Sequence, residues 1–255
     1  MKRYIFYAGF TPGAHLSSLD LWQISNLSKI AKKTNSKLVL SFAQLFRGES
    51  EFQSSSEYDL LLRPNQGYDF GSWLQAFDLY KFSPDDKLLF LNSSLVGPLN
   101  FEGIFWEKMF DHESDFVAIT ESKEVLKHAQ SFTWRINGRI ANDRRFANYL
   151  AQSYSVETRD DAIEKLELNL DSTIRKMGYT TYAVFPAGTV CFTSQNPSLA
   201  GWKKLLKSGF PFFKKKLLVD LGPKTVTDFL EFHQILDHQI NFQDFVQVIQ
   251  QEIEK

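Results

Sequence analysis

Short apolar runs alternate with helical stretches through the first half of this chain, and few folds accommodate that order. RYIFYAGF (3–10) reads as a buried opening strand, KLVLSF (37–42) as a second, Leu60 to Leu62 as a third, Leu88 to Leu91 as a fourth and DFVAIT (115–120) as a fifth. Between the first two, Ser17 or Ser18 caps a helix running to about Thr34, with Leu21, Ile24, Leu27 and Ile30 on its inner face. Gly71 to Tyr80 places Trp73, Leu74, Phe77 and Tyr80 at helical spacing, and Phe101 to Phe110 reads as a further helix. The alternation predicts an α/β fold whose largely parallel central sheet is covered by helices on both faces.

The rest of the chain is less regular. Gln44 to Glu57 is polar and reads as a loop, SFTWRI (131–136) as an aromatic segment, and TTYAVF and TVCFTS as two short strands. Helices are expected over Asp143 to Ser153 and over Asp160 to Met177, the second closed by Gly178. Ser198 to Lys207, Val226 to Asp237 and Phe242 to Glu254 complete the helical set. A length of 255 residues suits one core. A single domain over 1–255 is therefore expected, with 196–255 a basic, aromatic and helical region packed on it.

Composition removes several functional classes. Lys and Arg total 29 against 30 acids, so the net charge of -1 gives no global case for nucleic-acid binding. The 24 Phe are spread along the chain, which points to an aromatic core rather than a base-stacking surface. A single Cys191 cannot close an internal disulfide and suggests a reducing, cytoplasmic setting. Met1 to Tyr7 does not read as a secretion signal, and no apolar run approaches the roughly 18 residues a membrane span needs. Neither GxGxxG nor GxxxxGKS/T is present, so a dinucleotide fingerprint and a P-loop are both unsupported.

Chemistry concentrates between Arg63 and Pro98. Leu60 to Leu62 run into a turn carrying Arg63, Asn65, Gly67 and Asp69, and Leu88 to Leu91 run into Asn92, Ser93 and Ser94. Ligands of open α/β sheets bind beyond the carboxyl ends of strands, so these two edges predict a pocket between them. Asn, Gly and Asp also stabilise tight turns without any ligand, and that plainer reading stands beside the functional one.

In their order, the RPNxGxD turn, the helix, the apolar strand and the NSS loop ending in Gly97 and Pro98 resemble the rhamnan synthesis protein F family of bacterial polysaccharide glycosyltransferases. HAQSF (128–132), ELNL (167–170) and NPSLAGWKKLLKSGFPFFKKKLL (196–218) continue the resemblance, which covers most of the chain. The layout is also similar to a GT-A glycosyltransferase, a nucleotide-binding α/β fold. The resemblance implies transfer of a hexose or deoxyhexose, such as rhamnose, from a nucleotide-sugar donor to a growing surface glycan by an inverting displacement. The alternative is a noncatalytic, glycosyltransferase-like binding or scaffolding protein of the same assembly. An unrelated nucleotide-binding α/β enzyme is the third reading.

On that basis Arg63, Asn65, Gly67, Asp69, Asn92, Ser93 and Ser94 are the donor-site candidates. Glu167 is the first candidate for the base, because it matches a glutamate in the family's corresponding segment, and Glu121 is the second. Lys127, His128, Gln130, Ser131 and Lys214 are candidates for the acceptor or a phosphate. The resemblance places an acidic residue after the Asn of the NSS loop, where GT-A enzymes commonly carry a metal site; here Ser93 stands instead. Neutral oxygens make a poor stand-alone site for Mg²⁺ or Mn²⁺, so no metal ligand is assigned and weak or absent dependence on divalent metal is expected. Lys203, Lys204, Lys207, Lys214, Lys215 and Lys216 fall between Trp202 and Leu218 with no acid among them. They form either a solvated basic face or a peripheral contact, through 202–218, with the inner face of the cytoplasmic membrane and an acceptor carried on polyprenyl diphosphate.

Overall fold

The computed structural model describes residues 1–13, 15–101, 104–222, 227–228 and 241–253. In chain order the strands are β1 (Arg3–Thr11), β2 (Ser36–Gln44), β3 (Glu51–Ser54), β4 (Asp59–Pro64), β5 (Lys87–Asn92), β6 (Leu95–Val96), β7 (Phe116–Ser122), β8 (His128–Ala129), β9 (Thr133–Asn137), β10 (Thr181–Phe185) and β11 (Phe213–Lys214). The helices are α1 (Ser18–Lys33), α2 (Tyr68–Phe77), α3 (Ile104–Phe110), α4 (Gly138–Ala141), α5 (Arg144–Ala151), α6 (Arg159–Lys165), α7 (Leu170–Lys176), α8 (Pro197–Ala200), α9 (Trp202–Lys207), α10 (Lys216–Leu221) and α11 (Phe242–Ile253).

The main sheet has the order β10-β7-β9-β5-β1-β2-β4-β3, with β8 added at the end of β7. β1 pairs in parallel with β2 and β5, β2 with β4, and β7 with β10. The α/β class is as expected, but the sheet is mixed. SFTWRI supplies β9, which lies antiparallel between β5 and β7. Because β5 and β7 both oppose β9, they run the same way, and the carboxyl ends of β1, β2, β4, β5, β7 and β10 share one edge. The start of β9 joins them there.

Period-two alternation drives the layering. Tyr4, Phe6 and Ala8 face one core with Trp73, Phe77, Phe90 and Trp134, while Ile5 and Tyr7 face the other with Ile24, Leu27, Ile30 and Met109. Phe90 stacks on Trp134 at 4.1 Å between centroids, and Trp73 meets Trp134 edge-on at 5.3 Å. The Phe-rich composition thus serves the core. A third cluster joins Leu19, Val96 and Leu99 to Trp202, Phe213, Leu217, Phe245 and Ile249, which holds the described C-terminal helices against α1 and β6.

Local chemistry fixes the boundaries. Ser17 caps α1 in a reciprocal box with Asp20. Ile24, Leu27 and Ile30 face inward as expected, but Leu21 is 57% exposed and Leu19 is buried in its stead. Part of the 44–57 loop forms the edge strand β3, antiparallel to β4. TVCFTS is a pair of turns rather than a strand, with Phe192 accepting from Gln195 N at 3.0 Å. The Val226–Asp237 helix lies outside the described residues apart from Thr227 and Asp228.

The expected 160–177 helix divides into α6, a 3-10 turn at Glu167–Asn169, and α7. Side chains satisfy the carbonyls that the break releases: Tyr149 donates its hydroxyl to Leu166 O, and Asn169 Nδ2 donates to Glu164 O at 2.7 Å. The break turns Glu167 toward the sheet edge.

Candidate functional site

Five separate segments meet at the carboxyl edge, beginning with the turn after β4. Arg63 is fully buried, and its guanidinium donates to Ser72 Oγ at 2.8 Å, Pro64 O at 2.9 Å, Gln66 O at 2.6 Å and Tyr68 O at 2.6 Å. It organises the turn and leaves little of itself for a ligand. Burial lowers its pKa to about 10, so it stays charged at neutral pH. Gly67 adopts φ +74°, and a Cβ there would stand 2.6 Å from Ser153 O. Tyr68 follows at φ +52°. This doubly left-handed turn starts α2 and presents Asp69 in its first helical turn.

Asn92, the last residue of β5, donates its amide to Asp69 Oδ2 at 2.7 Å and accepts from Ser94 N at 3.2 Å and from the Ser94 hydroxyl. Ser93 N is held on Ala8 O at 2.8 Å, and Asn65 is exposed beside them, its N bonded to Gln44 O. The third segment is β11, whose antiparallel pairing with β6 sets Lys214 opposite Leu95. The Lys214 ammonium then reaches Ser94 Oγ at 3.0 Å and lies 4.0 Å from the centroid of the Phe132 ring.

Glu167 completes the group. Ser131 donates to its Oε2, and His128 Nε2 stands 3.7 Å from its Oε1 while His128 Nδ1 bonds Leu126 O at 2.8 Å. Gln130 is turned away, accepting from Thr120 Oγ1 and donating to Asn196. Glu121 and Lys127 pair with each other at 3.0 Å and line a separate small cleft with Asp171 and Arg175. The structure therefore brings Asp69, Asn92, Ser94, His128, Ser131, Glu167 and Lys214 together, and leaves Glu121, Lys127 and Gln130 beside them.

The electrostatics of these groups are coupled. Desolvation and the neighbouring Glu167 push Asp69 up to about 6, against the Asn92 hydrogen bond and the Lys214 and Arg63 charges. Desolvation lowers Lys214 to about 8, resisted by Glu167 and Asp69. Burial works against the charge on Glu167, but His128, Ser131 and Lys214 outweigh it and hold the carboxylate below its usual range. Burial likewise opposes the charge on His128, and Glu167 outweighs it and raises the imidazolium.

Asp69 carries a sign that can be checked. Its folded pKa lies above the value of a free carboxyl, so its contribution to stability is complete in acid and is lost as pH rises through about 6. Asp69→Asn keeps an acceptor for Asn92 without the buried charge, and is expected to raise the melting temperature at pH 7.5 while leaving it unchanged at pH 4. Equal shifts at both pH values would contradict the assignment.

The sequence reading missed a cleft of about 430 Å³ at the ends of β1 and β2, lined by Pro12, Gly13, Gln44, Phe46 and Arg47. Phe46 is 92% exposed there, and Arg47 Nε donates to Gln44 Oε1 at 2.7 Å. An aromatic followed by Arg in an otherwise polar loop was the available signal. Among the described residues no group of three or more His, Cys, Asp or Glu is arranged to hold a metal ion.

The sequence matches the family described as Rhamnan synthesis protein F over residues 38–252. Virulence protein VirA of Vibrio anguillarum is 28% identical over 216 residues, covering 72% of this chain and 68% of that protein. Uncharacterized protein y4gN of Sinorhizobium fredii is 28% identical over 132 residues, covering 49% and 34%. Among solved structures, galactosyltransferase LgtC in complex with donor and acceptor sugar analogs is similar with a TM-score of 0.40 and 10% identity, over 71% of this chain and 72% of that one. The glycosyltransferase GlyE of Streptococcus pneumoniae TIGR4 gives a TM-score of 0.37 and 17% identity, over 71% and 45%.

Proposed function

This chain belongs to the rhamnan synthesis protein F family, and we propose that it is a glycosyltransferase moving a hexose or deoxyhexose, such as rhamnose, from a nucleotide sugar to a growing surface glycan. The observation that carries the proposal is the convergence of one ammonium, two carboxylates and a loop of neutral hydrogen-bonding groups at the carboxyl edge of the sheet. Sugar transfer asks for this combination: charge to balance a departing diphosphate, polar groups for sugar hydroxyls, and a carboxylate for the acceptor proton.

In this reading Lys214 and Ser94 hold the diphosphate, Asp69 and Asn92 bond the donor sugar, and the cleft beside Phe46 takes the nucleotide. The acceptor hydroxyl oxygen attacks the anomeric carbon, the bond from that carbon to the diphosphate breaks, and the acceptor proton passes to Glu167. A carboxylate held below its usual range is a weak base, so the proton moves late, as the attacking oxygen becomes acidic. Before that, Ser131 and His128 fix Glu167 in position. Lys214 remains charged only below about 8 and Asp69 is ionised only above about 6. A bell-shaped kcat/KM profile with limbs near those two values is expected, and a profile flat from pH 5 to 9 would contradict the assignment.

Asn92, Ser93 and Ser94 offer no carboxylate, so Lys214 is assigned the charge compensation that a divalent cation would otherwise supply. Release of nucleotide from UDP, dTDP, GDP or CMP sugars should therefore persist in excess chelator, and abolition by chelator would sink that assignment. Absence of carboxylates at this loop also supports a noncatalytic binding protein as a second reading. Glu167→Gln distinguishes the two: under the enzyme reading it abolishes nucleotide release and preserves donor binding. Under the binding reading the parent protein already releases none.

A further inference from the structure

Two loops project from the same sheet edge beyond the candidate site. One follows β7 (123–127) and the other follows β10 (186–195), and β7 and β10 are adjacent parallel strands. Asn196 Nδ2 donates to Glu124 Oε2 at 2.9 Å, and Ala187 N lies 3.4 Å from Glu121 Oε1, so the loops are fastened together. Their tips carry large apolar side chains in water: Val125 is 75% exposed, Leu126 45% and Phe192 80%. Single exposed hydrophobes are ordinary, but three on two fastened loop tips form a patch that folding does not explain.

We propose that these tips insert into an anionic bilayer and seat the carboxyl edge on its surface. Two features favour a lipid surface over a protein partner. The apolar side chains are three, Val125, Leu126 and Phe192, which offers little area for a stable protein interface and suits shallow insertion between headgroups. Lysines also lie beside it: exposed Lys123 precedes Val125 and Leu126 in the first loop, and exposed Lys204, whose Nζ reaches Thr189 O at 2.6 Å, sits at the base of the second. The nearby acids are each engaged: Glu121 pairs with Lys127, Asp171 with Arg175, and Glu124 is held on Asn196. Lysines beside inserted apolar side chains favour anionic headgroups.

Within 202–218 the expected contact is shared out: Lys204 lies at this patch, and other charges of the run diverge from it. Lys214 turns into the site, Lys215 pairs with Glu252 at 2.6 Å, and Lys203 pairs with Asp228 at 3.0 Å. Among the described residues no helix is long and apolar enough to cross a membrane, so the proposed attachment lies on the surface.

The test is flotation of the whole chain with phosphatidylcholine vesicles containing or lacking phosphatidylglycerol, beside the variant Val125→Ser, Leu126→Ser, Phe192→Ser. The parent protein should float with anionic vesicles, and the variant should lose at least tenfold in partitioning with an unchanged melting temperature. Failure of the parent to float, or equal flotation of the variant, would overturn the proposal. So would a concentration-dependent dimer that the variant abolishes without any vesicle binding, since the patch would then serve a second copy. None of these readouts depends on sugar transfer.

Discussion

Lys214→Met lowers kcat/KM for sugar transfer by about 10²–10³-fold, the loss typical when one preorganised charge-stabilising group is removed from a transition state. Methionine retains an apolar stem of similar length, so packing is largely kept while the charge and its contact with the Phe132 ring are lost. Two further effects follow from the carboxylates. Without the ammonium, Asp69 and Glu167 face each other with less compensation, and Asp69 moves above its present value of about 6. The acid limb of the pH profile should shift upward and the limb near 8 should disappear. Activity within twofold of the parent would remove Lys214 from the site.

Arg63→Met acts on the fold rather than on the chemistry. Three carbonyls, of Pro64, Gln66 and Tyr68, lose a charged donor in a partly buried turn, and the buried hydroxyl of Ser72 loses its partner. A hydrogen bond to a charged group contributes about 1.5–3 kcal/mol and water can replace part of it at the exposed carbonyls, so a loss of roughly 3–5 kcal/mol is expected. For a chain of this size that corresponds to a fall of roughly 6–15 °C in melting temperature. The left-handed Gly67 and Tyr68 conformations depend on those bonds, so donor affinity should fall at temperatures where the variant remains folded. A melting temperature within 2 °C of the parent would show that the guanidinium does not hold the turn.

These two residues also mark what a sequence can and cannot disclose. The turn around Asp69 and the loop from Asn92 to Ser94 were legible, because strand, turn residues and helix follow one another locally. Placing Arg63 in the donor site was reasonable for a cation beside two turns, yet burial commits it to backbone carbonyls. Lys214 is a phosphate candidate in the sequence, yet it stands there as one of six neighbouring lysines on a basic run, with no local sign of its partners. It enters the site only through the pairing of β11 with β6, across 120 residues of chain to Ser94, which no local pattern encodes.

Glu167 shows the same limit from the other side. Periodicity predicts an unbroken helix from Asp160 to Met177, in which Glu167 is an ordinary surface carboxylate; only resemblance singled it out. The break that redirects it depends on the Tyr149 hydroxyl and the Asn169 amide taking up freed carbonyls, and both are settled by tertiary packing. The antiparallel β9 was hidden for a related reason. SFTWRI carries Trp134 and Arg135 buried on opposite faces of the sheet, so it lacks the polar alternation that marks a half-exposed strand.

The central claim is that the carboxyl edge binds a nucleotide sugar, and thermal denaturation with UDP, dTDP, GDP and CMP sugars, each with divalent metal and with chelator, tests it most directly. A ligand at about 100 times its dissociation constant adds roughly 2.7 kcal/mol, a readily measured rise in melting temperature. The account predicts stabilisation selective for one nucleotide, retained in chelator and lost in Lys214→Met. If no nucleotide sugar stabilises the parent protein under either condition, the donor site proposed at this edge is wrong.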